Sequence, residues 1–370
     1  MKIFFAIKNL SNSVGGAERV FCRITSALVE KGFDIYVITF DKKGSNSFYP
    51  IDPRVKRINI SIGDSSSKSN IIEFFRRIHF LKSYITNNKP DLIVGFMHSI
   101  YIPLAFALLN KSIPIIASEH ITIDHYKSRP IQFLLLLISS FRINKFTVLS
   151  KSIKRKYPLI ISNKMKIIAN PISIENQKRL QLTSKNRKTI LNIGRLDPQK
   201  DQITLIKAFS KICNQFQDWE LRIIGSGFLK KRLEDSIKEL DLNNRILIKS
   251  VTNQIEKEYI NADIFVISSH YESYGLVTAE AMTYGLPCVG FANCPGTNEL
   301  IIHKKTGLLV DGSQNRSESL ANGLQNIMSD SELRGFLGAN GKKEIQRTFS
   351  EKEIINEWAE LFYSIVEDKG

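Results

Sequence analysis

The sequence predicts an α/β protein made of two Rossmann-like domains facing each other across a cleft. Three observations lead there. The chain has 370 residues, too many for one ordinary core and comfortable for two. Short apolar runs alternate with amphipathic helical patterns twice along the chain, as parallel sheets with crossover helices require. Between the two alternations, after Asn170-Pro171, the period breaks over a polar, basic stretch at 172–188 that reads as a linker. The domains are therefore placed at 1–170 and 171–352, with a C-terminal helix over about 353–370 that can pack back on the first.

The elements follow in order. The opening run stops at Lys8 and Gly15-Gly16 follows with no small-residue cleavage site, so 3–7 reads as a strand rather than part of a signal peptide. A helix over 17–31 and a strand over 34–40 come next. Apolar residues at 71, 74, 75, 78, 81 and 85 have helical spacing. The runs 91–96, 113–118 and 146–149 are buried-strand candidates. In the second half the strands are expected at 189–193, 220–225, 245–249, 264–267 and 286–291. Helices fit between them, among them 229–240 and 276–284, the latter stopped by Gly285 and Pro287.

Composition narrows the function classes. With 43% hydrophobic and 24% charged residues, 20 Gly and 11 Pro, the chain is neither disordered, collagen-like nor a coiled-coil rod. No uncharged apolar stretch reaches the roughly 18 residues that a spanning helix needs. Cys22, Cys213, Cys288 and Cys294 have neither CxxC nor disulfide-framework spacing and read as reduced thiols of a cytosolic protein. The net charge of +16 is unevenly placed: residues 1–170 hold 26 Lys and Arg against 10 Asp and Glu, while the rest holds 26 of each. A basic half beside a neutral half points to a polyanion or an anionic membrane on one side.

Three loops carry the candidate chemistry. In IGRLDPQKD (193–201) a strand runs through a Gly turn into a helix capped by Asp201, which sets Arg195 and Lys200 where a diphosphate is favoured. The plain alternative is a loop with two solvated cations. Gly225-Ser226-Gly227 joins a strand to a helix, a motif as compatible with a tight turn as with a ligand. The most informative segment is SHYESYGLVTAEAM (269–282). It places Glu272 in the loop, Gly275 at the helix start, the amides of Leu276 and Val277 in the first turn, and Glu280 one turn further. Such a carboxylate can accept both ribose hydroxyls, while one in the loop can hold a sugar; the plain alternative is an amphipathic helix with one exposed Glu.

This Glu-x7-Glu segment resembles the retaining GT-B glycosyltransferases of family 4, together with GRLDPQK, the GSG turn, Asn170-Pro171 and GGAER near the start. The likeness runs over nearly the whole chain in the family's order. It implies that Arg195 and Lys200 bind the donor's diphosphate and neutralise the leaving phosphate, that Glu280 holds the ribose, and that Glu272 contacts the transferred sugar. The amides of Leu276 and Val277, with Gly225 and Gly275, would complete the donor site, and Gly15-Gly16 would close on the donor from the other domain. One departure is Ser273, where the family commonly has Gly. Ser118-Glu119-His120 resembles the enzymes that extend lipid-linked oligosaccharides, and His120 would meet the donor sugar or shape the acceptor site. A satisfied structural histidine is the alternative.

No Asp-x-Asp pair or His/Cys cluster with metal-ligand spacing occurs, so no metal or other cofactor is expected, and Arg195 with Lys200 could take a cation's place. Residues 131–141 form an apolar stretch too short to span a bilayer. Lys127, Arg129, Arg142, Lys145, Lys151, Lys154, Arg155 and Lys156 flank it; Arg76, Arg77 and Lys82 decorate the 71–85 helix. Both segments could lie at an anionic membrane surface or pack into the core. The expectation is a cytoplasmic enzyme peripheral to the inner face of the plasma membrane. It would move a hexose or N-acetylhexosamine from a nucleotide sugar, UDP-linked on this reading, to a polyprenyl-diphosphate-linked saccharide in surface-polysaccharide assembly. A GDP-mannose-dependent mannosyltransferase, a sugar-nucleotide epimerase and a basic nucleic-acid-binding protein are the other readings. The neutral second half and the lack of zinc-finger or RNP-type motifs weigh against nucleic acid.

Overall fold

Strands covered by helices on both faces must be apolar at every position, and Leu92–Phe96 and Cys288–Phe291 are buried throughout. The computed structural model describes residues 1–11, 15–63, 71–172, 187–252, 254–272 and 274–367. Most of the expected linker at 172–188 and Ser273 lie outside the described residues. The chain divides into two units, Met1–Pro171 with Lys352–Gly370, and Ile172–Glu351.

The first unit runs β1 (Lys2–Ala6), α1 (Gly16–Glu30), β2 (Asp34–Thr39), β3 (Lys56–Asn59), α2 (Ile71–Asn88), β4 (Leu92–Phe96) and α3 (His98–Ala107). It continues with β5 (Ile115–Ser118), α4 (Pro130–Ser140), β6 (Lys145–Val148), α5 (Lys151–Lys156), α6 (Leu159–Ser162) and β7 (Met165–Ile167). Its seven strands are all parallel, in the order β3-β2-β1-β4-β5-β6-β7.

The second unit holds β8 (Lys188–Ile193), α7 (Gln202–Ile212), β9 (Trp219–Ile224), α8 (Lys230–Glu239), β10 (Ile246–Lys249), α9 (Ile255–Ile260) and β11 (Ile264–Val266). Then come α10 (Leu276–Thr283), β12 (Cys288–Phe291), α11 (Thr297–Leu300), β13 (Gly307–Val310), α12 (Arg316–Ser329) and α13 (Ser331–Thr348). Its sheet is also parallel, ordered β10-β9-β8-β11-β12-β13. The last helix, α14 (Glu351–Glu367), sends Trp358 and Phe362 against Phe5 of the first sheet, with ring centroids 6.4 and 6.2 Å apart.

In each sheet the strand order reverses beside the first strand, between β1 and β4 and between β8 and β11. Loops leave the carboxyl ends of such neighbours in opposite directions and open a crevice where ligands bind. Three edge or near-edge elements, β3, β7 and β13, are absent from the sequence reading. Edge strands are half covered, so they need no apolar run: β3 reads KRIN and β7 reads MKI.

The structure corrects two of the cations expected at a membrane. Arg77 is buried; it donates to the Ile62 carbonyl at 2.9 Å and stacks over Phe40. Arg142 donates to the carbonyls of Leu108, Lys111 and Ile113 at 2.6–2.8 Å. Both hold loop backbone together instead of facing solvent.

Candidate active site

Most candidate residues sit in the second unit, on the loops that leave β8, β9 and β11. After β8 the chain turns at Gly194. A Cβ at Gly225 would run into the Gly194 carbonyl oxygen, and one at Gly227 into the Leu196 carbonyl. The GSG turn therefore has a packing reason of its own: only glycines let the β9 loop lie on the β8 loop. Leu196 N donates to the Ser226 carbonyl at 2.9 Å and seals that contact.

Lys200 closes the β8 loop, and Asp201 follows in left-handed backbone (φ 48°) as the N-cap of α7, accepting from Thr204 N. The Lys200 ammonium reaches across to the β11 loop, 2.6 and 2.8 Å from the two carboxylate oxygens of Glu272. Ser269 Oγ donates to the same carboxylate at 2.5 Å. The two side chains are only 13% and 7% exposed, so this is a nearly buried ion pair. Arg195 is different. Its side chain is 71% exposed, with Asp197 at 3.2 Å and Gln199 at 3.1 Å, which leaves its guanidinium within reach of solvent and solute.

Arg316, at the start of α12, was not legible as a site residue. It donates to Asp201 Oδ2 at 3.2 Å and to the Ser268 and Ser269 carbonyls at 2.7 and 3.2 Å, with its guanidinium 3.8 Å above the Phe291 ring. One planar cation thus ties the Lys200 loop to the Glu272 loop.

The helix α10 starts at Gly275, whose left-handed backbone (φ 74°) carries no side chain over the helix start. Leu276 and Val277 form its first turn. Glu280 lies one turn on, half-buried, and accepts from the Tyr259 hydroxyl at 2.9 Å. The structure therefore gathers Arg195, Lys200, Gly225, Glu272, Gly275, Leu276, Val277 and Glu280 on the carboxyl side of one sheet around its switch point. Among the described residues no three His, Cys, Asp or Glu side chains converge as metal ligands.

Gly15, Gly16 and His120 belong to the first unit. Gly15 is the N-cap of α1 and Gly16 its first residue, one position earlier than the spacing suggests. His120 is buried just after β5, stacked on Phe96 with centroids 4.8 Å apart. Thr147 Oγ1 donates to Ser118 Oγ at 2.9 Å, and Ser118 Oγ shares a hydrogen bond of 3.0 Å with His120 Nε2. Burial pushes the His120 pKa down to about 4, and the ring is neutral at pH 7. Glu119, between them, faces inward. It accepts from the Tyr101 hydroxyl at 2.5 Å, the Tyr126 hydroxyl at 3.2 Å and Ile121 N at 3.2 Å, and burial raises its pKa.

Two parallel α/β units of this kind are those of the GT-B fold, a fold of glycosyltransferases. Residues 14–176 match the model described as Glycosyltransferase Family 4 and residues 173–344 the model described as Glycosyl transferases group 1; the chain belongs to this retaining glycosyltransferase family. A relative from Campylobacter jejuni, named as an alpha-1,4-N-acetyl-D-galactosaminyltransferase acting on a diNAcBac-PP-undecaprenol-linked saccharide, is 25% identical over 99% of both chains. Among solved structures, sucrose-phosphate synthase of Thermosynechococcus elongatus has a TM-score of 0.84 at 18% identity over 99% of each chain. Anabaena HepE, solved with UDP and glucose, has a TM-score of 0.79 at 19% identity over 98% of this chain and 100% of that one.

Two predictions follow from this geometry. Lys200→Ala strands the Glu272 charge and lowers the unfolding free energy by about 3–5 kcal/mol, whereas Lys200→Met with Glu272→Leu recovers most of it. Denaturant titration checks both, and a double variant no more stable than the single one would show that the pair adds net stability. For His120, the unfolded pKa is about 6.5, so between about pH 4 and 6.5 the unfolded state binds more protons. The neutral ring's contribution is full above pH 6.5 and is lost as pH falls toward 4, while Glu119, with its raised pKa, slopes the other way. The stability of wild type minus that of His120→Phe should fall by up to about 1.4 kcal/mol per pH unit across that window. A difference that stays flat with pH would contradict a buried neutral His120.

Proposed function

We propose that the protein transfers a hexose or N-acetylhexosamine, with retention, from a UDP-sugar to a saccharide carried on a polyprenyl diphosphate. The observation that carries this reading is the Lys200–Glu272 pair: a cation for a phosphate and a carboxylate for sugar hydroxyls, 2.6 Å apart at the sheet's switch point. UDP in the Anabaena structure and the undecaprenyl-linked saccharide in the Campylobacter relative's name support the choice of donor and acceptor.

In this reading Arg195 and Lys200 take the diphosphate, helped by the amides of Leu276 and Val277 in the first turn of α10, over which Gly275 places no side chain, and Gly225 on the β9 loop completes the donor site. Glu280 accepts the ribose hydroxyls. When the donor binds, its phosphate replaces Glu272 as the counter-ion of Lys200, and the carboxylate turns to the sugar. The acceptor hydroxyl attacks the anomeric carbon as the bond to the β-phosphate oxygen breaks on the same face. That phosphate takes the acceptor's proton, and Arg195 and Lys200 stabilise the charge that develops on it. In the first unit, His120 is an uncharged ring that can hydrogen-bond a sugar hydroxyl, and the Glu18 carboxylate lies beside Gly15 at the α1 start.

The acceptor's carrier is read from the first unit's surface. On α4 and just after it, Ile131, Leu134, Ile138 and Phe141 form one exposed stripe at helical spacing, with Ile131 and Phe141 74% exposed. The neighbouring α6 adds Leu159 and Ile160. Lys127, Arg129, Lys145, Lys151, Arg155 and Lys156 remain at the surface around this patch, although Lys127 and Lys156 also meet Asp124. Apolar side chains ringed by cations suit an anionic bilayer surface. No helix among the described residues is long and apolar enough to cross a membrane.

Thermal melting with UDP, GDP and ADP tests the donor site. UDP should raise Tm, and Glu280→Ala should remove most of that rise. A preference for GDP would keep the chemistry and change the donor, and no shift with any nucleotide would end the assignment. For the surface, Ile131→Glu with Leu134→Glu should weaken binding to phosphatidylglycerol vesicles by about tenfold or more. Tyr363→Glu, at an exposed site on α14, should leave it unchanged. Equal sedimentation of both variants would place the contact elsewhere.

A further inference from the structure

We infer that Tyr259 is a positioning residue for the donor's ribose and acts through Glu280. The inference rests on the reading of Glu280 as the ribose ligand. Tyr259 lies on α9, on the crossover between β10 and β11, and is 1% exposed. Its hydroxyl is 2.9 Å from Glu280 Oε2 and 3.3 Å from the Val277 carbonyl. One hydroxyl hydrogen serves one acceptor at full strength, and the nearer, charged one takes it. The Val277 carbonyl alone could satisfy the buried hydroxyl, so burial does not explain why the hydroxyl meets the carboxylate.

The tyrosine is itself held firmly. Its ring stacks on Tyr284, with centroids 5.2 Å apart and planes 18° from parallel, and packs on Phe265. Beside it on α9, Glu258 pairs with Arg222 at 2.9 Å and Lys249 at 3.0 Å, which anchors the helix to β9 and β10. Glu280 is half-buried, and its Oε2 accepts from this tyrosine. A carboxylate that accepts from two neighbouring ribose hydroxyls must present both oxygens in one plane. Tyr259 fixes that plane before the nucleotide arrives and removes the rotamer entropy that binding would otherwise cost.

Calorimetry of the full-length protein with UDP and with 2′,3′-dideoxy-UDP tests this, because only UDP carries the hydroxyls that Glu280 would hold. In wild type, UDP should bind about tenfold or more tightly than the dideoxy nucleotide. Glu280→Gln should bring that ratio to within about twofold, and Tyr259→Phe, which keeps the ring stack, to about two- to threefold. The double variant should bind UDP no more weakly than Glu280→Gln alone, since a general loss of stability would add and a shared route would not. If Tyr259→Phe keeps the full ratio, or weakens both nucleotides equally, the inference is overturned while the ribose reading stands. If wild type does not discriminate the two nucleotides, or Glu280→Gln keeps the ratio, the ribose reading itself fails.

Discussion

The ion pair between Lys200 and Glu272 joins two loops 72 residues apart in the sequence, and the geometry of the candidate site depends on it. Taking two charges this far out of water costs several kcal/mol each, and such a pair returns little net stability compared with apolar residues of the same size. On the proposed reading, its arrangement suits a site that takes a phosphate and a sugar side by side. Until they arrive, each residue is the other's counter-ion. Ser269 completes the carboxylate's shell, and Arg316 holds the Asp201 carboxylate on one side and the Ser268 and Ser269 carbonyls on the other, so that both loops would stay in place while the pair is exchanged for ligand. The preorganisation lies in the loops, and the pair itself is the exchangeable part.

How much of this can be read from the sequence depends on how far apart the partners lie. Strands buried on both faces announce themselves as apolar runs, and the loop after each is then placed by topology. That is why Arg195, Lys200, Glu272 and Glu280 could be named before any coordinates. The half-covered β3 and β7 lack the run and were invisible, and β13 has only the short run GLLV. So was Arg316, whose partner Asp201 is 115 residues away: an Arg at a helix start looks like a solvated surface charge until the fold brings a carboxylate and two carbonyls to it. Arg77 and Arg142 misled for the same reason, since their cationic heads are used on backbone carbonyls inside the fold. In Ser118-Glu119-His120, three adjacent residues have different fates, and only burial separates them. Glu119 becomes the hub of a tyrosine cluster, while His120 stays a neutral ring beside Ser118.

The charge asymmetry can now be assigned to two different electrostatic tasks. In the second unit cations and acids nearly balance in number and several meet directly: Arg222 with Glu220 and Glu258, Lys249 with Glu258, Lys211 with Glu318, Lys188 with Asp218. Such a surface has little far field, so a diphosphate donor would be recognised only where local geometry provides cations, at Arg195 and Lys200. In the first unit, residues 1–170 hold 26 cations against 10 acids and residues 352–370 add 2 against 5, so pairing cannot cancel the excess. Their summed field reaches about a Debye length, roughly 8 Å at physiological salt, which is too short for steering across solution and long enough to act at contact with a charged sheet of lipid. On the proposed reading, a field confined to one unit would also orient the molecule, because only that unit would be drawn to the surface. The exposed stripe on α4 then supplies what electrostatics cannot, an apolar contact whose strength does not fall with salt. A nucleic-acid-binding surface would need the same cations but would have no use for Ile131, Leu134, Ile138 and Phe141 in a single exposed row, and this combination of charge and apolar exposure favours a membrane as the partner of the basic unit.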